Sequence, residues 1–213
     1  MTLKRRVVFG GTFDPVHRGH LAVANAAHTA LAPDEFRFMP AGDPPHRDRT
    51  FASPAHRLKM LDLALKPYPW FTVDRQEIDR NGRSWTSLTL ATLRQTFPED
   101  ALILLLGQDS ANSLDSWHDW ECIPELAHLV IMSRPDQVPV YGPQLAREIA
   151  QRTVTDTASL GGCSAGLVLP LQVPDVPVSS TLLRKRLATR GSLCDLVPDP
   201  VAEYIEQQGL YRD

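Results

Sequence analysis

The sequence predicts an α/β fold built on a doubly wound, mostly parallel sheet, and three observations carry that expectation. Short apolar runs of strand length alternate with segments whose apolar residues recur at helical spacing. Leu102 to Leu106 is apolar without interruption, as a strand covered on both faces requires. Marked glycine-bearing or polar stretches follow directly on four predicted strands, after Phe9, Met39, Leu106 and Leu169, and such folds bind ligands beyond the carboxyl ends of their strands.

In chain order, Val7-Val8-Phe9 reads as the end of a buried strand. Gly10 and Gly11 then allow a sharp turn, and Leu21, Ala22, Ala24 and Ala27 resume at helical spacing in a helix that ends near Ala32-Pro33. Phe36 to Met39 is a second strand, followed by a proline-rich loop from Ala41 to Arg49 that neither a helix nor a central strand tolerates. Ser53 caps a helix beginning at Pro54, and Phe71 to Asp74 is a third strand. A helix over 87–97, the strand at Leu102 and a Trp-rich helical stretch from Trp117 to Glu121 come next. Leu129 to Met132 is a further strand. From Asp136 to Gly166 the chain is polar and irregular, with one helix near 144–151. Leu167 to Leu169 is the last strand, and helices over 180–188 and 201–207 close the chain.

A chain of 213 residues with 43% hydrophobic content buries one good core, so a single domain over 1–213 is expected, with a small helical part from about 178. The net charge of −3 argues against a general nucleic-acid binder, which needs a basic surface. No apolar run approaches a membrane span, and the apolar run after the basic start is too short for a signal-peptide core. Cys122, Cys163 and Cys194 are odd in number and lack C-x-x-C spacing, which suits reduced thiols of a cytoplasmic protein, buried as small hydrophobes.

The chemistry concentrates in Phe9 to Leu21, FGGTFDPVHRGHL. Strand, glycine turn and helix together aim backbone N–H groups and a positive helix end at an anion, and His17 and His20, three apart at the turn and first helical position, can face one ligand. Val178 to Arg184, VSSTLLR, offers a second helix start where Ser179 or Ser180 caps the helix. Its N–H groups and hydroxyls can receive phosphate oxygens, and Arg184 stands one turn in. Gly107-Gln108-Asp109 places a carboxylate at a strand end, able to accept from ribose hydroxyls. Pro44-Pro45-His46-Arg47 and Ser84-Trp85-Thr86 with Trp117 complete the set. No H-E-x-x-H or paired Cys/His spacing indicates a protein metal site, and Asp14 is expected to tie down the turn.

Gly10-Gly11-Thr12-Phe13-Asp14-Pro15-Val16-His17 with Gly19-His20-Leu21 resembles the signature of the nucleotidylyltransferase superfamily, whose fold is Rossmann-like. The extended GGTFDP form is similar to that of the bacterial nicotinate-nucleotide adenylyltransferases. The resemblance implies transfer of the adenylyl group of ATP to nicotinate mononucleotide, giving nicotinate adenine dinucleotide and pyrophosphate. It implies that His17, His20 and Arg184 are catalytic, and that ATP is held by Gly10, Gly11, Thr12, Gly107, Asp109, Ser179, Ser180 and Thr181 beside them. It places nicotinate mononucleotide against Thr12, Phe13, His46, Arg47, Ser84, Trp85, Thr86, Trp117 and His118. The N–H groups of Thr86 and His118 would receive the pyridine carboxylate while Trp117 stacks on the ring. Trp85 departs from the family's usual S-Y-T but keeps an aromatic. Mg²⁺ is expected to arrive with ATP, and the chain is a monomer or a homo-oligomer. Two rivals remain open: a pantetheine-phosphate adenylyltransferase or cytidylyltransferase of the same superfamily, which leaves GGTFDP, PPHR and SWT unexplained, and a non-catalytic nucleotide sensor.

Overall fold

The computed structural model describes residues 2–42, 50–80, 82–135 and 137–212. Its centre is a six-stranded sheet in the order β3-β2-β1-β4-β5-β6, formed by β1 (Arg5–Gly11), β2 (Glu35–Pro40), β3 (Phe71–Val73), β4 (Ala101–Gly107), β5 (His128–Ser133) and β6 (Val168–Gln172). The expected sheet was mostly parallel; every strand pair here is parallel. The order reverses between β1 and β4, and this switch point opens a crevice at the carboxyl ends of those two strands.

The helices are α1 (Arg18–Leu31), α2 (Pro54–Leu65), α3 (Gln76–Asp79), α4 (Thr86–Thr96), α5 (Gln108–Asn112), α6 (Ile123–Leu126), α7 (Pro143–Arg152), α8 (Ser180–Ala188) and α9 (Asp199–Gln207). Alternation along the strands divides the core between the two faces of the sheet. Val7, Phe9, Phe36, Phe38, Ile103 and Leu105 pack on one side with buried residues of α1, α2, α8 and α9. Val8, Met39, Leu102, Leu104 and Leu106 pack on the other with Leu90, Leu93 and Leu145 of α4 and α7. Trp120 is buried there.

Several expectations are corrected. Gly10 and Gly11 lie in β1 itself; the residue with left-handed backbone is Phe13, φ 49°. His17 is the N-cap of α1 and His20 its third residue, not the turn and first helical position. The stretch 117–121 is no helix. Trp117 sits between two 3₁₀ turns, Leu114–Ser116 and Trp120–Cys122, where Asp119 (φ 49°) breaks the run. Short α3, α5 and α6 went unread because four or five residues carry no measurable periodicity. The three cysteines are exposed rather than buried, since each falls outside the strands and the apolar helix faces.

Candidate active site

The polypeptide leaving β1 builds one wall of a cavity of about 530 Å³ at the switch point. Gly10 and Gly107, at the ends of the two central strands, both line it, and a Cβ on either would meet nothing within 4 Å. Their bare backbones therefore leave open space where a ligand can approach closely. Gly11 is small for a different reason: a Cβ there would stand 3.0 Å from the Phe13 ring.

The turn after Gly11 is fastened from behind. Asp14, 1% exposed, accepts from the N–H groups of Phe51 (2.7 Å) and Ala52 (3.1 Å) and from the Tyr211 hydroxyl (2.6 Å). It ties down the turn as the sequence suggested. Arg57, fully buried, donates to the main-chain oxygens of Thr12 (2.9 Å) and Gly42 (3.2 Å), so a single guanidinium joins the segments that follow β1 and β2. Among the described residues its Nε has no hydrogen-bond partner. Burial lowers the pKa of Arg57, and the charges of Asp14 and Tyr211 oppose that shift. A lone apolar-spaced arginine in α2 gave no sequence signal for this role.

His17 and His20 form a reciprocal cap at the start of α1. Each Nδ1 accepts the other residue's backbone N–H, at 3.2 Å in both directions, and the rings stack with centroids 3.6 Å apart. In the neutral form, an accepting Nδ1 puts the proton on Nε2, so each ring presents an N–H donor on its far edge. Burial drives both pKa values down. His17, with Arg134 as a second cause, falls to about 4; His20, with His17 as its second cause, also lies well below the ordinary value. Gly19 fits between them because a Cβ would press to 3.0 Å on both His17 Nδ1 and Val178.

The start of α8 faces the same space. Ser179 caps it by accepting from the N–H of Leu182 (3.2 Å), Ser180 donates its hydroxyl to the carbonyl of Pro15 (3.0 Å), and Thr181 completes this edge of the cavity. Two helix N-termini thus converge on one cavity. Arg184, expected at the phosphates, stands one turn into α8 beside this edge. It is not among the described residues lining the cavity; its guanidinium donates to the carbonyl of Asp14 (2.7 Å) and to the Thr181 hydroxyl (3.1 Å) and lies 4.5 Å over the Phe51 ring.

Ser84, Trp85, Thr86, Trp117 and His118 also line the cavity. Trp85 occupies the N-cap position of α4, and among the described residues no side chain caps that helix, which leaves its first N–H groups as donors. The Trp85 and His118 rings pack 4.5 Å apart. Asp109 also lines the cavity, one residue into α5. His46 and Arg47 lie outside the described residues. Reasoning from sequence missed Arg134, after β5, and the buried Glu77 of α3, both in the cavity wall. Arg134 follows a strand end, which was a usable signal; Glu77 stands in a helix too short to read.

A family model described as cytidylyltransferase-like matches residues 8–186. A probable nicotinate-nucleotide adenylyltransferase of Aeromonas hydrophila is 42% identical over 205 residues, covering 96% of this chain and 96% of that protein. One from Marinobacter nauticus is 40% identical over 206 residues, 96% of this chain and 95% of its own. Among solved structures, Plasmodium falciparum nicotinic acid mononucleotide adenylyltransferase complexed with NaAD superposes with a TM-score of 0.74 at 17% identity. The match covers 98% of this chain and 97% of that one, and at such identity the likeness is one of fold.

Proposed function

The chain belongs to the cytidylyltransferase-like family, among its nicotinate-nucleotide adenylyltransferases, and from that premise we propose how its cavity transfers the adenylyl group of ATP to nicotinate mononucleotide. A phosphate oxygen of the mononucleotide attacks the α-phosphorus of ATP. The new P–O bond forms as the bond to the β-phosphate oxygen breaks, and pyrophosphate leaves with the electron pair. The nucleophile is already an anion, so no strong base is needed; the protein aligns the substrates and offsets developing charge.

The observation that carries this reading is the stacked pair of His17 and His20, both lining a switch-point cavity, whose reciprocal Nδ1 bonds leave each neutral ring's proton on Nε2 as a donor. They would receive oxygens of the α- and β-phosphates beside the Gly10-Gly11-Thr12 backbone. Ser179, Ser180 and Thr181, with Arg184 behind them, would hold the leaving pyrophosphate, and Arg134 would add positive charge across the cavity. Gly107 and Asp109 suit the adenosine ribose. Phe13, Ser84, Trp85, Thr86, Trp117 and His118 suit the pyridine nucleotide, where N–H donors match a carboxylate better than the amide of nicotinamide. His46 and Arg47 would contribute charge near its phosphate.

Among the described residues no three His, Cys, Asp or Glu side chains are grouped to hold a metal ion. The divalent cation, proposed as Mg²⁺, would come bound to ATP and keep most of its waters. No helix among the described residues is long and apolar enough to cross a membrane, and cytoplasmic action by a single domain, as monomer or homo-oligomer, completes the reading.

Pyrophosphate release with Mg·ATP, comparing nicotinate mononucleotide, nicotinamide mononucleotide and phosphopantetheine at equal concentration, tests it. Strong preference for the nicotinate compound is the expected result. Equal use of both pyridine nucleotides would overturn the carboxylate assignment, and no release with any acceptor would favour a sensor.

A further inference from the structure

We infer that Glu77 is a positioning residue that sets the acid-over-amide preference of the pyridine end by fixing the first turn of α4; the inference rests on the reading of the reaction given above.

Glu77 is 8% exposed and lines the cavity. Its carboxylate accepts the Thr89 hydroxyl at 2.7 Å, and Ser84 helps to hold it ionised. Those partners are not arbitrary. Ser84 stands one residue before the N-cap of α4, and Thr89 is the fourth residue of the helix. These are the two positions whose mutual contact, when both are apolar, fixes the angle at which a chain enters a helix. Here a single carboxylate interacts with both polar side chains.

The surrounding contacts extend the same brace. Ser84 Oγ accepts the N–H of Gly42 at 2.9 Å, Arg80 donates to Thr89 Oγ1 at 3.2 Å, and the Thr89 N–H bonds to the carbonyl of Trp85 at 3.0 Å. Gly42 approaches so closely that a Cβ there would lie 2.1 Å from the Glu77 carbonyl oxygen. The segment after β2, the short helix α3 and the entry to α4 therefore meet at Glu77. What the brace holds still is the helix start at Thr86, which lines the cavity with Ser84 and Trp85 and whose direction would decide which pyridine substituent its N–H groups suit.

Burial raises the carboxyl pKa of Glu77, with the bond from Thr89, the Ser84 side chain and the charge of Arg80 opposing it. A group held in the wall at that cost is spent on geometry rather than on attracting an anion, since its own negative charge would repel a carboxylate.

The test is steady-state kinetics of Glu77→Ala, Glu77→Gln and Thr89→Val with Mg·ATP and each pyridine nucleotide. Expected for Glu77→Ala is a KM for nicotinate mononucleotide raised roughly tenfold or more, a KM for ATP within about twofold of the parent, and a several-fold loss of the acid-to-amide ratio of kcat/KM. Glu77→Gln, which keeps one accepting oxygen, should recover part of the ratio, and Thr89→Val should lower it even if Glu77→Ala fails to fold. An unchanged ratio in all three, or equal weakening of both substrates, would overturn the inference. Absence of turnover in the parent protein would instead overturn the reaction on which it rests.

Discussion

The imidazole of His17 lies 22° from parallel with that of His20, and each residue supplies the hydrogen-bond acceptor that the other's main chain needs. One interaction thereby starts a helix and fixes two tautomers. Replacing His20 with Ala removes an Nε2–H donor and is expected to lower kcat roughly 10²–10³-fold. The loss in folding stability should stay near 1 kcal/mol, the usual scale of a helix cap. Turnover and melting temperature measured together check this; near-normal turnover would refute the donor role.

The same pair makes stability sensitive to acid. His17 titrates at about 4 in the folded chain against 6.5 ordinarily, so between those values the unfolded chain binds a proton that the folded chain does not. Stability is therefore expected to fall as the pH drops from about 6.5 towards 4, by up to about 3 kcal/mol from this residue. His17→Asn keeps a capping acceptor and removes the titration, and its urea midpoint should change less between pH 7 and 4.5 than that of the parent.

Arg134 acts on His17 across the cavity. Removing its charge with Arg134→Met should raise the His17 pKa, because a nearby cation disfavours the imidazolium. A proton NMR titration of the His17 ring reads the shift directly, and an unmoved midpoint would show that solvent screens the pair. Turnover should fall as well if Arg134 faces phosphate.

Trp117→Ala should raise the KM for nicotinate mononucleotide by about tenfold, the scale of a lost aromatic stacking contact, with little change for ATP. Equal effects on both substrates would place the indole elsewhere.

Tyr211→Phe deletes one of the three donors to the buried Asp14. The expected cost is about 1–3 kcal/mol of stability, as for a buried charged acceptor left short of a partner, read from denaturant midpoints.

Strand and helix alternation, the β1–α1 turn and the α8 cap were legible because each rests on local pattern: Val7 to Phe9 is apolar, Ser179 stands just before a helix that Ser180 opens, and Gly107 ends a strand. What stayed hidden depends on residues far apart in sequence. Arg57 looks like any arginine of a helix until Thr12 and Gly42 come to it, and Glu77 becomes informative only once Ser84 and Thr89 flank it. Arg184 matched a motif, yet a motif cannot say that its guanidinium reaches the Asp14 carbonyl. The exposed cysteines show the converse: an average preference for burial says little about three particular positions in connecting segments.

The bond between Asp14 and Tyr211 joins positions 197 apart. A ribosome delivers the turn well before Tyr211, so until that residue emerges the Asp14 carboxylate lacks this donor. Domains fold as they emerge, and here the segment after α9 must dock before Asp14 is fully held. The order of synthesis thus separates the translation of this turn from the contact that completes its anchoring.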